Sequence, residues 1–147
     1  MKEQQEKAAK DAEVKFGDNK KAGQDFLAEN KVKENVQTTD SGLQYLVLKE
    51  GTGEKPVATS KIKIHYHGTT INGEVFDSSV EKGTPYDASP NQFIPGFTEG
   101  LLLMNEGAKY RFFIPQELAY GAQQRGALIQ PFSTLIFEVE ILDILEQ

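Results

Sequence analysis

Along the chain the spacing of apolar positions switches from a helical period to a strand period near residue 40. Residues 1 to about 36 are rich in Lys, Glu, Ala and Gln, and their small or apolar positions Ala8, Ala12, Phe16, Gly23 and Leu27 trace one narrow stripe on a helix. This predicts a long, mostly solvated helix, interrupted near Gly17-Asp18. With so little apolar surface it gains little from folding alone, so it is either a stalk for something else or frayed. Val36 to Gly42 breaks the pattern with turn formers, which divides the chain into a helical stalk, residues 1–38, and a domain, residues 39–147.

From there the pattern alternates. Leu43, Tyr45 and Val47 point one way and Gln44, Leu46 and Leu48 the other, and Gly51-Thr52-Gly53 closes this strand. Ile62, Ile64 and Tyr66 repeat the pattern, with Lys61, Lys63, His65 and His67 on a face expected to be wet. Asn72-Gly73 favours a type I′ hairpin that returns the chain into Val75-Phe76-Asp77. Ser78 to Gln92, with Gly83, Pro85 and Pro90, reads as a surface excursion. Ala108 to Pro115 is a strand with Tyr110, Phe112 and Ile114 on one face, Pro115 to Phe132 is irregular, and Ser133 to Leu145 is a last strand. About five strands joined mostly by turns predict an α+β fold in which a twisted antiparallel sheet wraps over one short helix, preceded by the long N-terminal helix.

The short helix begins in the most apolar turn of the chain, Phe93-Ile94-Pro95-Gly96-Phe97-Thr98-Glu99-Gly100-Leu101. Pro95 fixes its own φ, Gly96 tolerates any turn geometry, and Thr98 and Glu99 suit a first helical turn. The helix should run to about Asn105 and stop at Gly107. Taken alone, Phe93, Ile94 and Phe97 are either core or the wall of an apolar site.

The 147 residues suffice for one ordinary domain and an appendage, and 26% charged against 38% hydrophobic residues describes a soluble protein. A net charge of −6 argues against nucleic acid as a partner, because that affinity depends on cations that neutralise phosphates. With no cysteine, the chain can hold neither a disulfide nor a thiolate ligand or nucleophile. There is no apolar run of about 18 residues, so no membrane partner is expected. Met1 to Lys10 lacks an apolar signal segment. Read as written, the chain is expected in the cytoplasm; if upstream sequence precedes it, the periplasm or cell envelope is the alternative.

Side chains for conventional catalysis are scarce. The only histidines, His65 and His67, share one strand face; they lack an evident third metal ligand, and a solvent-exposed pair is expected. No Gly-rich phosphate loop follows a strand, and the carboxylates are scattered, so neither a metal nor a cofactor is called for.

Five segments in order and spacing carry a resemblance: Ile64-His65-Tyr66-His67-Gly68, Phe76-Asp77-Ser78-Ser79, Phe93 to Leu101, Ala119-Tyr120-Gly121 and Leu135-Ile136-Phe137-Glu138-Val139-Glu140. Together they resemble the FKBP-type peptidyl-prolyl cis/trans isomerases over about Thr39 to Glu146. Gly23 to Asn30 followed by Thr38 to Tyr45 is similar to the bacterial macrophage infectivity potentiator subgroup, in which a long helix ties the isomerase domain to a helical dimerisation segment. Most of that segment would be missing from this chain, which bears on homodimer formation.

The resemblance implies a pocket lined by Tyr66, Phe76, Asp77, Tyr86, Phe93, Ile94, Phe97, Tyr120, Ile129 and Phe137. It implies Tyr120 as donor to the substrate carbonyl, Asp77 as a polar group that orients the pocket or meets the rotating amide, and Ile94 as a backbone N–H donor. The family commonly has tryptophan where this chain has Phe97, valine where it has Phe93, and a large apolar residue where it has Ala88. Phe93 is therefore expected to refill volume lost at Ala88 or Phe97. The implied activity is Xaa-Pro isomerisation in proline-containing, unfolded or partly folded polypeptides, with macrolides such as tacrolimus and rapamycin as inhibitors. The alternatives are a low-turnover holdase or peptide-binding module using the same pocket, and a rigid scaffold on the stalk.

Overall fold

The computed structural model describes the backbone of residues 2–126 and 128–146 and the side chains of residues 17–126 and 128–145. In chain order its elements are α1 (Lys2–Lys31), β1 (Gln37–Thr38), β2 (Gln44–Lys49), β3 (Lys61–Thr70), β4 (Val75–Ser78), α2 (Ser79–Lys82), β5 (Tyr86–Ala88), α3 (Pro95–Leu103), β6 (Lys109–Ile114) and β7 (Leu135–Glu146). Single 3₁₀ turns lie at Pro90–Gln92 and Gln116–Leu118.

The strand with the cleanest alternation, β3, organises the sheet. One edge pairs with β7 from Lys61↔Glu146 to Thr70↔Leu135. The other is shared by β5, opposite Ile62 to Ile64, and β4, opposite His67 to Thr69. The strand order is β1-β2-β6-β7-β3-β4, all antiparallel. The sheet thus has seven strands rather than about five. The two additions, Gln37–Thr38 and Tyr86–Ala88, are too short for a period to show in the residues.

The Asn-Gly hairpin forms, but not as a type I′ turn. Gly73 has φ +88° while Asn72 stays out of the left-handed region, and Gly73 N–H bonds Thr70 O as Thr70 N–H bonds Glu74 O. That is a three-residue loop with a glycine bulge, which needs positive φ at one residue only.

Helix α3 packs against the sheet with Phe97 and Leu101 buried in the common core. It starts where predicted, with Pro95 at its first position. Thr98 does not cap it; its hydroxyl bonds Pro90 O at 2.5 Å and ties the helix to the preceding turn. Gly96 and Gly100 lie one turn apart on its packed face. A Cβ at Gly96 would fall 2.5 Å from Ile114, and one at Gly100 2.6 Å from the Phe112 ring. Only glycine allows the helix to lie this close to β6.

Helix α1 runs unbroken through Gly17, since one glycine in a helix interior costs only about 1 kcal/mol. Of the expected stripe, the side chains of Ala8, Ala12 and Phe16 lie outside the described residues. The helix is also not a mostly solvated stalk over its last turns. Phe26 meets Phe113 with ring centroids 6.0 Å apart, and Gly23 abuts Thr134. Buried Asn30 donates to Gln44 Oε1 at 2.8 Å, and Gln44 Nε2 donates to Leu27 O at 2.9 Å. Among the described residues no helix is long and apolar enough to cross a membrane.

Candidate active site

Residues of β3, β4 and β5, the start of α3, the loop after Gln116–Leu118 and β7 converge on one cavity of about 1020 Å³. Tyr66, Phe76, Asp77, Tyr86, Phe93, Ile94, Phe97, Tyr120, Ile129 and Phe137 all line it. Phe97, 2% exposed, is the floor. Phe137 stands edge-on to it at 4.9 Å between centroids, Tyr66 edge-on at 6.4 Å, and Phe93 lies stacked on it at 4.4 Å. Phe76 closes the wall edge-on to Phe137 at 5.3 Å. These are the favoured geometries of aromatic pairs, and they fix the ring planes. Gly68 leaves the room: a Cβ there would fall 2.7 Å from Phe137 and 2.8 Å from Phe76.

Phe93 does fill space above the small floor, since its ring contacts are with Phe97 and Tyr86. Ala88, by contrast, does not line the cavity. Phe97→Trp alone is therefore expected to cost about 1–3 kcal/mol by overpacking against Phe93. Combined with Phe93→Val, most of that loss should return. Denaturant unfolding of both single variants and the double variant measures it; strictly additive effects would contradict the shared space.

Among the polar side chains that line the cavity, Tyr66, Asp77 and Lys82 engage one another. Tyr66 Oη donates to Asp77 Oδ2 at 2.9 Å, and Lys82 Nζ donates to Asp77 Oδ1 at 3.0 Å, so both carboxylate oxygens have partners. Burial, then the hydrogen bond to Asp77, pushes the Tyr66 hydroxyl up to about 12. An ordinary tyrosine ionises at about 10, so between pH 10 and 12 the folded protein retains a proton that the unfolded chain has released. The resulting stabilisation is complete below pH 10 and is lost as pH rises to 12. Tyr66→Phe should flatten this part of the stability profile, as read by denaturant unfolding at stepped pH; an unchanged alkaline slope would contradict the assignment.

Tyr120 is half-buried, and among the described residues its hydroxyl has no hydrogen-bond partner. No described residue accepts the backbone N–H of Ile94, which stands at the N-cap of α3 with φ −61° and ψ 153°. Both donors border the same apolar cavity.

Five further lining residues, Lys82, Gln92, Arg125, Gly126 and Leu128, were not legible from the residues. Lys82 arrives on the single-turn helix α2, and Arg125 on an irregular loop, neither of which has a period. The histidines need a correction as well. They are not solvent-exposed: His65 Nδ1 lies 2.9 Å from Ser79 Oγ, and His67 Nδ1 2.8 Å from Ser78 Oγ. Antiparallel pairing sets Ser78 opposite His67 and half-buries that strand face.

Residues 52–142 match the family model of FKBP-type peptidyl-prolyl cis-trans isomerases, and residues 1–47 that of the domain amino-terminal to them. The chain is 51% identical over 123 residues to the FKBP-type 22 kDa peptidyl-prolyl cis-trans isomerase of Escherichia coli, covering 84% of this chain and 60% of that protein. It is 50% identical to the isomerase FkpA of Aeromonas hydrophila over 94% of this chain and 50% of that protein. It therefore spans about half to three-fifths of the length of these curated relatives. The crystal structure of Escherichia coli FkpA superposes with a TM-score of 0.85 at 38% identity, covering 97% of this chain and 64% of that one. That of a Pseudomonas syringae peptidyl-prolyl isomerase gives 0.82 at 36% identity over 90% of this chain and 96% of that one. By its sequence, its fold and the cavity at the head of α3, the chain belongs to the FKBP-type peptidyl-prolyl cis-trans isomerase family.

Proposed function

We propose that the chain accelerates cis/trans rotation of Xaa-Pro bonds in unfolded or partly folded polypeptides, and that the aromatic cavity is where it does so. The observation that carries this reading is the cavity's composition: Phe76, Phe93 and Phe137 stand around the buried Phe97 floor. Resonance holds the peptide bond planar with a barrier of about 18–20 kcal/mol, and prolyl bonds isomerise over tens to hundreds of seconds. The twisted transition state loses resonance and its charge separation. Water stabilises the polar planar amide; an apolar pocket withdraws that stabilisation while still packing the twisted form. A ten-thousand-fold acceleration needs only about 5.5 kcal/mol of such selectivity.

In this scheme Phe76, Phe97 and Phe137 hold the prolyl ring. The Tyr120 hydroxyl donates to the carbonyl preceding proline, and the Ile94 N–H donates to the neighbouring backbone. Asp77, with both oxygens engaged, orients Tyr66 and Lys82 rather than reaching the amide. Macrolides such as tacrolimus and rapamycin would occupy the same cavity. Any homodimer would form through the helical dimerisation segment of the subgroup, of which this chain would hold only a small part.

A holdase is the second reading, favoured by Tyr86 and Leu128, which stand 48% and 37% exposed at the cavity rim. Refolding of a protein limited by a slow prolyl step separates the two. Acceleration of that phase, weakened in Tyr120→Phe, supports catalysis; suppressed aggregation with an unaccelerated slow phase would leave the holdase.

A further inference from the structure

Arg125 is the one lining cation whose charge meets no carboxylate among the described residues. Lys82, the other, is spent on Asp77 at 3.0 Å. The Arg125 guanidinium carbon instead lies 5.7 Å from the centroid of the Tyr120 ring, within cation–π range. Its backbone is pinned as well. Arg125 N–H donates to Ile129 O at 2.7 Å in an isolated antiparallel bridge, Gly126 turns the chain at φ +69°, and Gln124 Nε2 holds Gly126 O at 3.1 Å. Ile129, the partner in that bridge, is buried. On a chain of net charge −6, this leaves an exposed positive group that meets no carboxylate among the described residues at the cavity mouth, beside Tyr120.

We propose that Arg125 is a specificity-determining residue that favours an acidic side chain on the residue preceding proline. This preference presupposes the prolyl pocket described above. In this assignment the prolyl ring rests on Phe97, the preceding carbonyl meets Tyr120, and the side chain of the preceding residue passes the Tyr120 ring, 5.7 Å from whose centroid the Arg125 guanidinium carbon lies. A guanidinium presents paired N–H donors to a carboxylate, and ring stacking limits the rotamer freedom it loses on engaging one.

Two otherwise identical short peptides carrying Glu-Pro or Gln-Pro test it, because the side chains are isosteric and differ in charge. The wild-type protein should isomerise the Glu-Pro peptide with kcat/KM about two- to five-fold higher, the range of an exposed ion pair, and the ratio should narrow as salt is raised. In Arg125→Gln the ratio should fall to about one, and Arg125→Lys should retain part of it. Equal values in the wild type, or a preference that survives Arg125→Gln, would overturn the assignment. The dissociation constants of the same peptides, from NMR titration, read the preference without turnover. A two- to five-fold tighter Glu-Pro complex with no acceleration would sink the catalytic reading and keep Arg125; binding of neither peptide would sink both.

Discussion

Phe97→Ala is expected to lower the unfolding free energy by about 3–5 kcal/mol, the usual cost of emptying a buried phenylalanine site. The ring is 2% exposed and meets Tyr66 and Phe137 edge-on and Phe93 face to face, so its removal takes a shared partner from three rings at once. A domain of ordinary stability, about 5–15 kcal/mol, survives this loss at room temperature. The variant therefore reports function as well as stability. Without a floor the prolyl ring has nothing beneath it, so peptide isomerisation should fall toward the uncatalysed rate. Urea unfolding should show a lowered midpoint with the slope retained. A loss of under 1 kcal/mol, or unchanged catalysis, would mean that Phe97 is not the floor.

Gly100→Val is expected to be as damaging, although the usual helix argument points the other way. In an exposed helix interior, replacing glycine by alanine gains up to about 1 kcal/mol. At Gly100 even the first carbon meets the Phe112 ring at 2.6 Å, and that ring is fully buried among Tyr45 and Tyr110 with nowhere to retreat. Overpacking of this kind costs about 1–3 kcal/mol for modest insertions, so it outweighs the propensity gain already for alanine. Valine adds two methyl groups to the same collision, and a loss of about 3 kcal/mol or more is expected. Gly17→Ala is the control: its Cβ meets nothing within 4 Å, and the propensity term acts alone. Thermal unfolding should move down for Gly100→Val and slightly up for Gly17→Ala. Equal shifts of the same sign would show that helix propensity, not the approach of α3 to β6, sets the outcome.

How much of this was legible in the residues depended on the length of each pattern. Ile62, Ile64 and Tyr66 alternate cleanly over a ten-residue strand, and their face proved to be core. The three residues of β5 and the single turn of α2 offer no such run, so the second occupant of the β3 edge and the Lys82–Asp77 pair were invisible. Local composition made Asn72-Gly73 a hairpin but overspecified its turn. It also made Gly17 a break, although α1 absorbs one glycine. The environment of His65 and His67 was set by partners eleven and fourteen residues away, which no local rule reaches. The cavity walls were named through resemblance, whereas the stacking of Phe93 on Phe97 and the placement of Arg125 over Tyr120 are tertiary facts.

On this reading an apolar aromatic cavity, with no nucleophile, lowers the barrier to prolyl rotation. This is tested most directly by the cis/trans exchange rate of a short Leu-Pro peptide with and without the protein, and again with tacrolimus added as a competitor for the cavity. Exchange should run far above the uncatalysed rate and return to that rate when the macrolide is added. Exchange at the uncatalysed rate throughout, or catalysis that persists while tacrolimus fills the cavity, would contradict it.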